Sequence, residues 1–119
     1  SVPVDTLDNF IHDNLIDIKK IALIKVDVEG WEYFVFKGAA ATLNSKYSPP
    51  LLVEFTEENA FSAGTNCYDL YDIIVSCGYN WYTYDVKENK LVEEPKRLHY
   101  PYNNLIAIKN IEEAILRLK

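Results

Sequence analysis

Three charged side chains alternate along one short stretch, Lys25, Asp27 and Glu29 within Ile21-Ala22-Leu23-Ile24-Lys25-Val26-Asp27-Val28-Glu29-Gly30-Trp31-Glu32. Successive side chains of a strand point to opposite faces, so these three share one side while Ile24, Val26 and Val28 share the other. A further acid, Glu54, stands near the end of the apolar run Leu51-Leu52-Val53-Glu54-Phe55. Two parallel strands ending in this way bring Asp27 and Glu54 to neighbouring positions on one edge. Neighbouring carboxylates at a strand end are equipment for moving protons or holding a polar ligand. Burying an unpaired carboxylate costs several kcal/mol, which argues against Asp27 belonging to a purely structural strand. The plain alternative for Glu54 is a pairing with Lys25.

The elements that must position these groups follow from periodicity. Residues 21–28, rich in β-branched and aliphatic types, read as a buried strand. Gly30 permits a sharp turn, and Trp31, Phe34, Val35, Ala39 and Leu43 then fall on one helical face to about residue 45. Trp31 is expected in the core, Glu32 in the first turn of the helix, where an anion suits the dipole, and Gly38 as a helix break or a point of close packing. Upstream, Val2-Pro3-Val4 reads as an extended lead-in. Asp5 or Thr6 caps a helix carrying Leu7, Phe10, Ile11 and Leu15, with His12 exposed on it. Downstream, Pro49-Pro50 breaks the chain before the strand that carries Glu54. Residues 56–66 read as a polar loop long enough to cover a site, and residues 67–78 as a helix stopped by Gly78. A strand over 81–85, a turn near 87–90 and return pairing at Leu91-Val92 follow. Residues 93–102 are irregular. A last strand at 105–109 and a short helix from Ile111 to Lys119, amphipathic through Ile111, Ala114, Ile115 and Leu118, complete an α/β order with helical crossovers.

Bulk properties exclude several classes. A chain of 119 residues allows one small domain with a single core. Its net charge of -6 and lack of a basic run argue against nucleic-acid binding. No apolar stretch approaches the ~20 residues that span a bilayer, so no membrane segment is expected. The start Ser-Val-Pro-Val-Asp lacks the layout of a signal peptide, and the missing Met suggests residues upstream. Cys67 and Cys77 on one helix would stand about 15 Å apart, too far for a disulfide. They read as reduced thiols of a cytoplasmic protein. Neither His12 nor His99 belongs to a Cys/His cluster, so a zinc site is not expected.

The residues Val4-Asp5-Thr6-Leu7-Asp8 and Ile24-Lys25-Val26-Asp27-Val28-Glu29-Gly30-Trp31-Glu32 resemble the signature of FkbM-type methyltransferases. The resemblance continues through Val35-Phe36-Lys37-Gly38-Ala39, Leu52-Val53-Glu54, Gly78-Tyr79 and Tyr102-Asn103-Asn104-Leu105, from about residue 2 to 110. It implies a Rossmann-like sheet and methyl transfer from S-adenosylmethionine to a hydroxyl of a small molecule or sugar. In such folds a Gly-rich turn after the first strand holds the cofactor and an acid after the second holds its ribose. This chain has four scattered glycines and no G-x-G. The expected fold class is therefore a Rossmann-like methyltransferase half-sheet of the α/β type. It should have mostly parallel strands, one antiparallel strand and helices on both faces. The 119 residues would be a single domain, the carboxyl-terminal half, with the last strand inserted between those at 51–55 and 81–85.

The resemblance also implies roles. Asp27 would face the reacting centre as base, substrate anchor or metal ligand, and Glu54 could share Mg²⁺ with it. Glu29 either orients substrate or bonds backbone amides at the turn. Lys25 is their counter-ion, lowering the carboxylates' pKa. His99, Tyr100 and Tyr102 would form an aromatic wall for the substrate. Without a Gly-rich half the chain alone is expected to be inactive. The competing reading is a non-catalytic α/β interaction module or inactive fragment, pairing through the open strand edge with itself or with a separate amino-terminal half.

Overall fold

The structure, a computed structural model, describes residues 6–117, with side chains through Leu116. The expected lead-in Val2-Pro3-Val4, the Asp5 cap and the contribution of Leu118 lie outside the described residues. Among the described residues five strands and six α-helices follow one another along the chain. They are α1 (Leu7–Asp13), β1 (Ile24–Val26), α2 (Glu32–Lys37), α3 (Ala40–Asn44), β2 (Leu51–Phe55) and α4 (Glu57–Ser62). Then come α5 (Cys67–Val75), β3 (Asn80–Asp85), β4 (Lys90–Glu93), β5 (Asn103–Ile108) and α6 (Ile111–Arg117), with a 3₁₀ turn over Ile18–Lys20 before β1.

The sheet order is β1-β2-β5-β3-β4, so β5 does insert between β2 and β3. The expectation of mostly parallel strands is corrected. Only β1 and β2 pair in parallel, while β2–β5, β5–β3 and β3–β4 are all antiparallel. The inserted β5 breaks every parallel pairing that β2 and β3 would otherwise make. The hairpin to β4, too short for a crossover, adds another antiparallel pair. One side of β1 carries no strand among the described residues.

The pleat separates two faces. Leu51, Val53 and Phe55 of β2, Leu105 and Ala107 of β5, Trp81 of β3 and Val26 of β1 are buried against Phe36, Leu43, Ala60, Leu70 and Ile74 of the helices. Most of the apolar burial that holds the fold is on this face. Phe55 sits edge-on to Trp81, with ring centroids 4.9 Å apart. The Trp81 indole donates to the Tyr71 carbonyl and the Tyr71 hydroxyl to the Glu94 carbonyl, which ties α5 to the sheet. On the opposite face Lys25 is exposed and Leu52, Glu54 and Ile106 are half-buried. Instead of an even covering on both faces, α6 lies over one end of that second face, where Ala114 and Ile108 share a cavity.

Several local expectations change. The helix expected over 31–45 divides at Gly38 into α2 and α3. Gly38 also packs closely, because a Cβ there would lie 3.1 Å from Thr6 Cγ2. Trp31 is 55% exposed, with Phe34 stacked beside it at 5.2 Å, and Phe36 takes the core position instead. The divided helix rotates the apolar face by a few residues, which spacing across Gly38 could not anticipate. Leu15, expected on the first helix's apolar face, is 91% exposed, since α1 stops at Asp13 and Leu15 turns left-handed with φ +52°. Residues 56–66 are not merely a loop but contain α4. No helix among the described residues is long and apolar enough to cross a membrane.

Thr6 caps α1 by accepting from the Asn9 amide at 3.1 Å. Asp8 does the same for α3 from a distance, accepting from Ala41 N and Thr42 N, each at 2.9 Å. Burial pushes the Asp8 carboxyl up, yet bonds from the Thr42 hydroxyl and from the Thr42 and Ala41 amides outweigh it and leave its pKa below the ordinary 3.8. A carboxylate with a lowered folded pKa stabilises the fold above its unfolded pKa, and that stabilisation is lost as pH falls through the folded value. Asp8→Ala should therefore cost about 1 kcal/mol near neutral pH, and the gap to wild type should close in acid. Urea unfolding of both chains at pH 7 and below pH 3.8 checks this.

Candidate active site

The turn after β1 is held by a residue that periodicity assigned only to a helix dipole. Glu32 is buried, and its carboxylate accepts from Val28 N at 3.0 Å and from Gly30 N at 3.0 and 3.3 Å. Glu29 takes φ +49° and Gly30 φ +103°, so the chain reverses at once out of the strand. The backbone of α4 presses on this reversal, since a Cβ on Gly30 would stand 2.1 Å from the Asn59 carbonyl oxygen. Of the two roles open to Glu29, bonding turn amides belongs to Glu32, and Glu29 itself is exposed.

Asp27 emerges just before this turn, and Glu54 lies on β2 beside it. The two line one cleft of about 260 Å³ together with Lys25, Val26, Leu52, Tyr102 and Asn104. The register explains the set, because Lys25 pairs with Leu52 and Glu54 with Asn104 on the less covered face. Partial burial raises the Glu54 pKa, and the Thr56 hydroxyl, donating to Oε1 at 2.9 Å, pulls it back. Asp27 raises it again through a side-chain hydrogen bond and its charge, as does the charge of Glu32, leaving it above the ordinary 4.5.

Other expected members fall differently. Lys25 lines the cleft, but among the described residues it forms no ion pair with Asp27 or Glu54, and Glu54 is raised rather than lowered. The aromatic wall is corrected. Tyr100 is fully buried, packed at 5.0 Å on Phe55, with its hydroxyl accepting from Arg97 N at 2.9 Å. His99 is exposed and is not among the cleft's lining residues, so only Tyr102, 62% exposed, reaches the acids. Asn104, opposite Glu54, and Thr56 were missed. Asn104 lay within a quoted motif, and the register identifies it once β5 is known to be antiparallel.

The fit to cofactors differs for the two implied. Among the described residues no group of three or more His, Cys, Asp or Glu side chains could hold a metal, and nothing beyond the Asp27–Glu54 pair supports Mg²⁺. The cleft falls below the roughly 300–1,000 Å³ of ligand pockets. Its lining mixes Lys25, Asp27, Glu54 and Asn104 with Val26, Leu52 and Tyr102. The thiols take no part. Cys67 is buried, and burial together with the neighbouring Glu57 pushes its pKa up to about 12. Alkylation at pH 8 should therefore modify half-buried Cys77 in the native chain and Cys67 only in denaturant, as read by peptide mass.

The two parallel strands thus bring Asp27 and Glu54 to their carboxyl ends beside a tight glycine turn into a helix, the position at which open α/β sheets form ligand crevices. The family model described as the methyltransferase FkbM domain matches residues 1–80, about two thirds of the chain. The chain belongs to that family. The match includes Asp27, Glu32 and Glu54 and leaves Tyr102 and Asn104 beyond it. No curated protein and no solved structure matches.

Proposed function

We propose that this chain carries the acceptor-binding edge of an S-adenosylmethionine-dependent methyltransferase that methylates a hydroxyl of a small molecule or sugar. The observation behind the reading is the Asp27–Glu54 pair in one open cleft, with Glu54 held above its ordinary pKa by its neighbours. S-adenosylmethionine supplies an electrophilic methyl group when bound. The chain's own residues handle the acceptor. Deprotonated Glu54 accepts the hydrogen bond of the reacting hydroxyl and takes its proton as the oxygen becomes nucleophilic, and Asp27 orients the acceptor by accepting from a neighbouring hydroxyl. The Thr56 hydroxyl holds Glu54 in place, and Asn104 and the Tyr102 ring line the cleft on the acceptor's side. Lys25 offsets the negative charge that the pair carries before it takes the proton.

The 119 residues are the carboxyl-terminal half of the methyltransferase domain, and the free side of β1 is where the cofactor half adds its strand. Exposed Leu23 and Val28 beside β1 and the half-covered face of Leu52 and Ile106 support that reading. The free thiols suit a cytoplasmic setting. Calorimetric titration with S-adenosylmethionine tests the proposal on the 119 residues and on a chain extended by its upstream reading frame. The extended chain should bind in the micromolar range and the 119 residues should not. Binding by the 119 residues contradicts the half-domain, and no binding by the extended chain contradicts the methyltransferase.

A further inference from the structure

At the opposite end of β1 from the carboxylates lies a larger cavity of about 490 Å³, well inside the size range of small-molecule sites. Its floor is apolar, with Pro50 and Ile108 among the lining residues, and its rim is basic, with Lys19, Lys20, Lys46 and Lys109 against one acid, Glu113. In a chain of net charge -6 this is a local reversal of sign. The four lysines are not equivalent. Lys109 Nζ donates to the carbonyls of Leu43 and Ser45 and sits over the Tyr79 ring, so it fixes the loop that walls the cavity. Lys19 and Lys46 both place their ammonium groups on half-exposed Tyr47, at 4.6 and 5.0 Å from the ring centroid. Among the described residues neither they nor Lys20 form an ion pair with an acid. Two cations on one aromatic residue, with Lys20 lining the same cavity, repel one another, and a multiply charged anion that draws them off the ring relieves that repulsion and frees the ring to stack.

We propose that this cavity binds a small phosphate ester with a flat apolar body. The phosphate sits among Lys19, Lys20 and Lys46, and the body lies on Tyr47 and Pro50. The site is separate from the acceptor cleft, because Lys19 and Lys20 precede β1 and Asp27 follows it, and it does not depend on the proposed methyl transfer.

Phenyl phosphate, inorganic phosphate and benzoate serve as probes. Each is titrated into the 119-residue chain at constant ionic strength, and the backbone amide resonances of Lys19, Lys46 and Tyr47 are followed by NMR. Phenyl phosphate should give saturable shifts at all three residues and bind several-fold more tightly than inorganic phosphate. In the Lys19→Gln/Lys46→Gln double variant its binding should be roughly tenfold weaker, in a spectrum whose dispersion shows the fold intact. Linear shifts no larger than chloride produces, or equal affinity in the variant, overturn the site. Benzoate binding as tightly as phenyl phosphate overturns the assignment to phosphate.

Discussion

Gly30→Ala is expected to leave the chain unfolded or less stable by about 3 kcal/mol. Two costs add. A Cβ residue at φ +103° carries the strain of a left-handed backbone, on the order of 1–2 kcal/mol. The new methyl would also stand 2.1 Å from Asn59 O and 2.4 Å from Asn59 C, backbone atoms that cannot rotate away, and overpacking of that kind costs typically 1–3 kcal/mol. Relief requires α4 to move off the turn, and the turn is what Glu32 holds through the Val28 and Gly30 amides. Urea unfolding of the variant should show a lower midpoint or no cooperative transition. A native-like transition with a loss below about 1 kcal/mol would mean that α4 does not press on Gly30 in solution.

The second large effect concerns chemistry. In a methyltransferase completed by its upstream half, Glu54→Gln should lower kcat by about 10²–10⁴, the range for loss of a positioned general base, and Asp27→Asn, which removes the orienting carboxylate, should lower it as well. Neither change should unfold the chain, since Asp27 is exposed and Glu54 half-buried, and both replacements keep the side chain's shape. The Glu54→Gln profile should also lose the rise of activity with pH that deprotonation of Glu54 gives the parent, because a raised carboxyl pKa puts that rise above pH 4.5. Full turnover in both variants would remove the pair from the reaction.

The pairing of Asp27 with Glu54 was readable from two apolar runs that each carry an acid at the end, because strand alternation and parallel pairing fix which side chains meet. The insertion of β5 was readable only through the family resemblance. Trp31 and Tyr100 went the wrong way for opposite reasons. A glycine divides the helix behind Trp31 and turns its ring outward. Tyr100 sits in an irregular stretch, where no periodicity tells a core ring from a surface one. Glu32 was hidden because its partners are backbone amides of its own turn, which side-chain patterns do not report. The basic cavity was equally hidden, since Lys19, Lys46 and Lys109 are far apart in sequence and meet only through packing.

The shared cleft is the centre of this account, and the titration of Glu54 tests it most directly. The carboxyl carbon of Glu54 can be followed by ¹³C NMR against pH in wild type and in Asp27→Asn. A group whose folded pKa is raised binds its proton more tightly in the folded chain, so its contribution to stability falls as pH rises through the window above 4.5. Glu54 should titrate above 4.5 in wild type and move down when Asp27 loses its charge. A wild-type value at or below 4.5, or one that Asp27→Asn leaves unchanged, would contradict the pair and the site built on it.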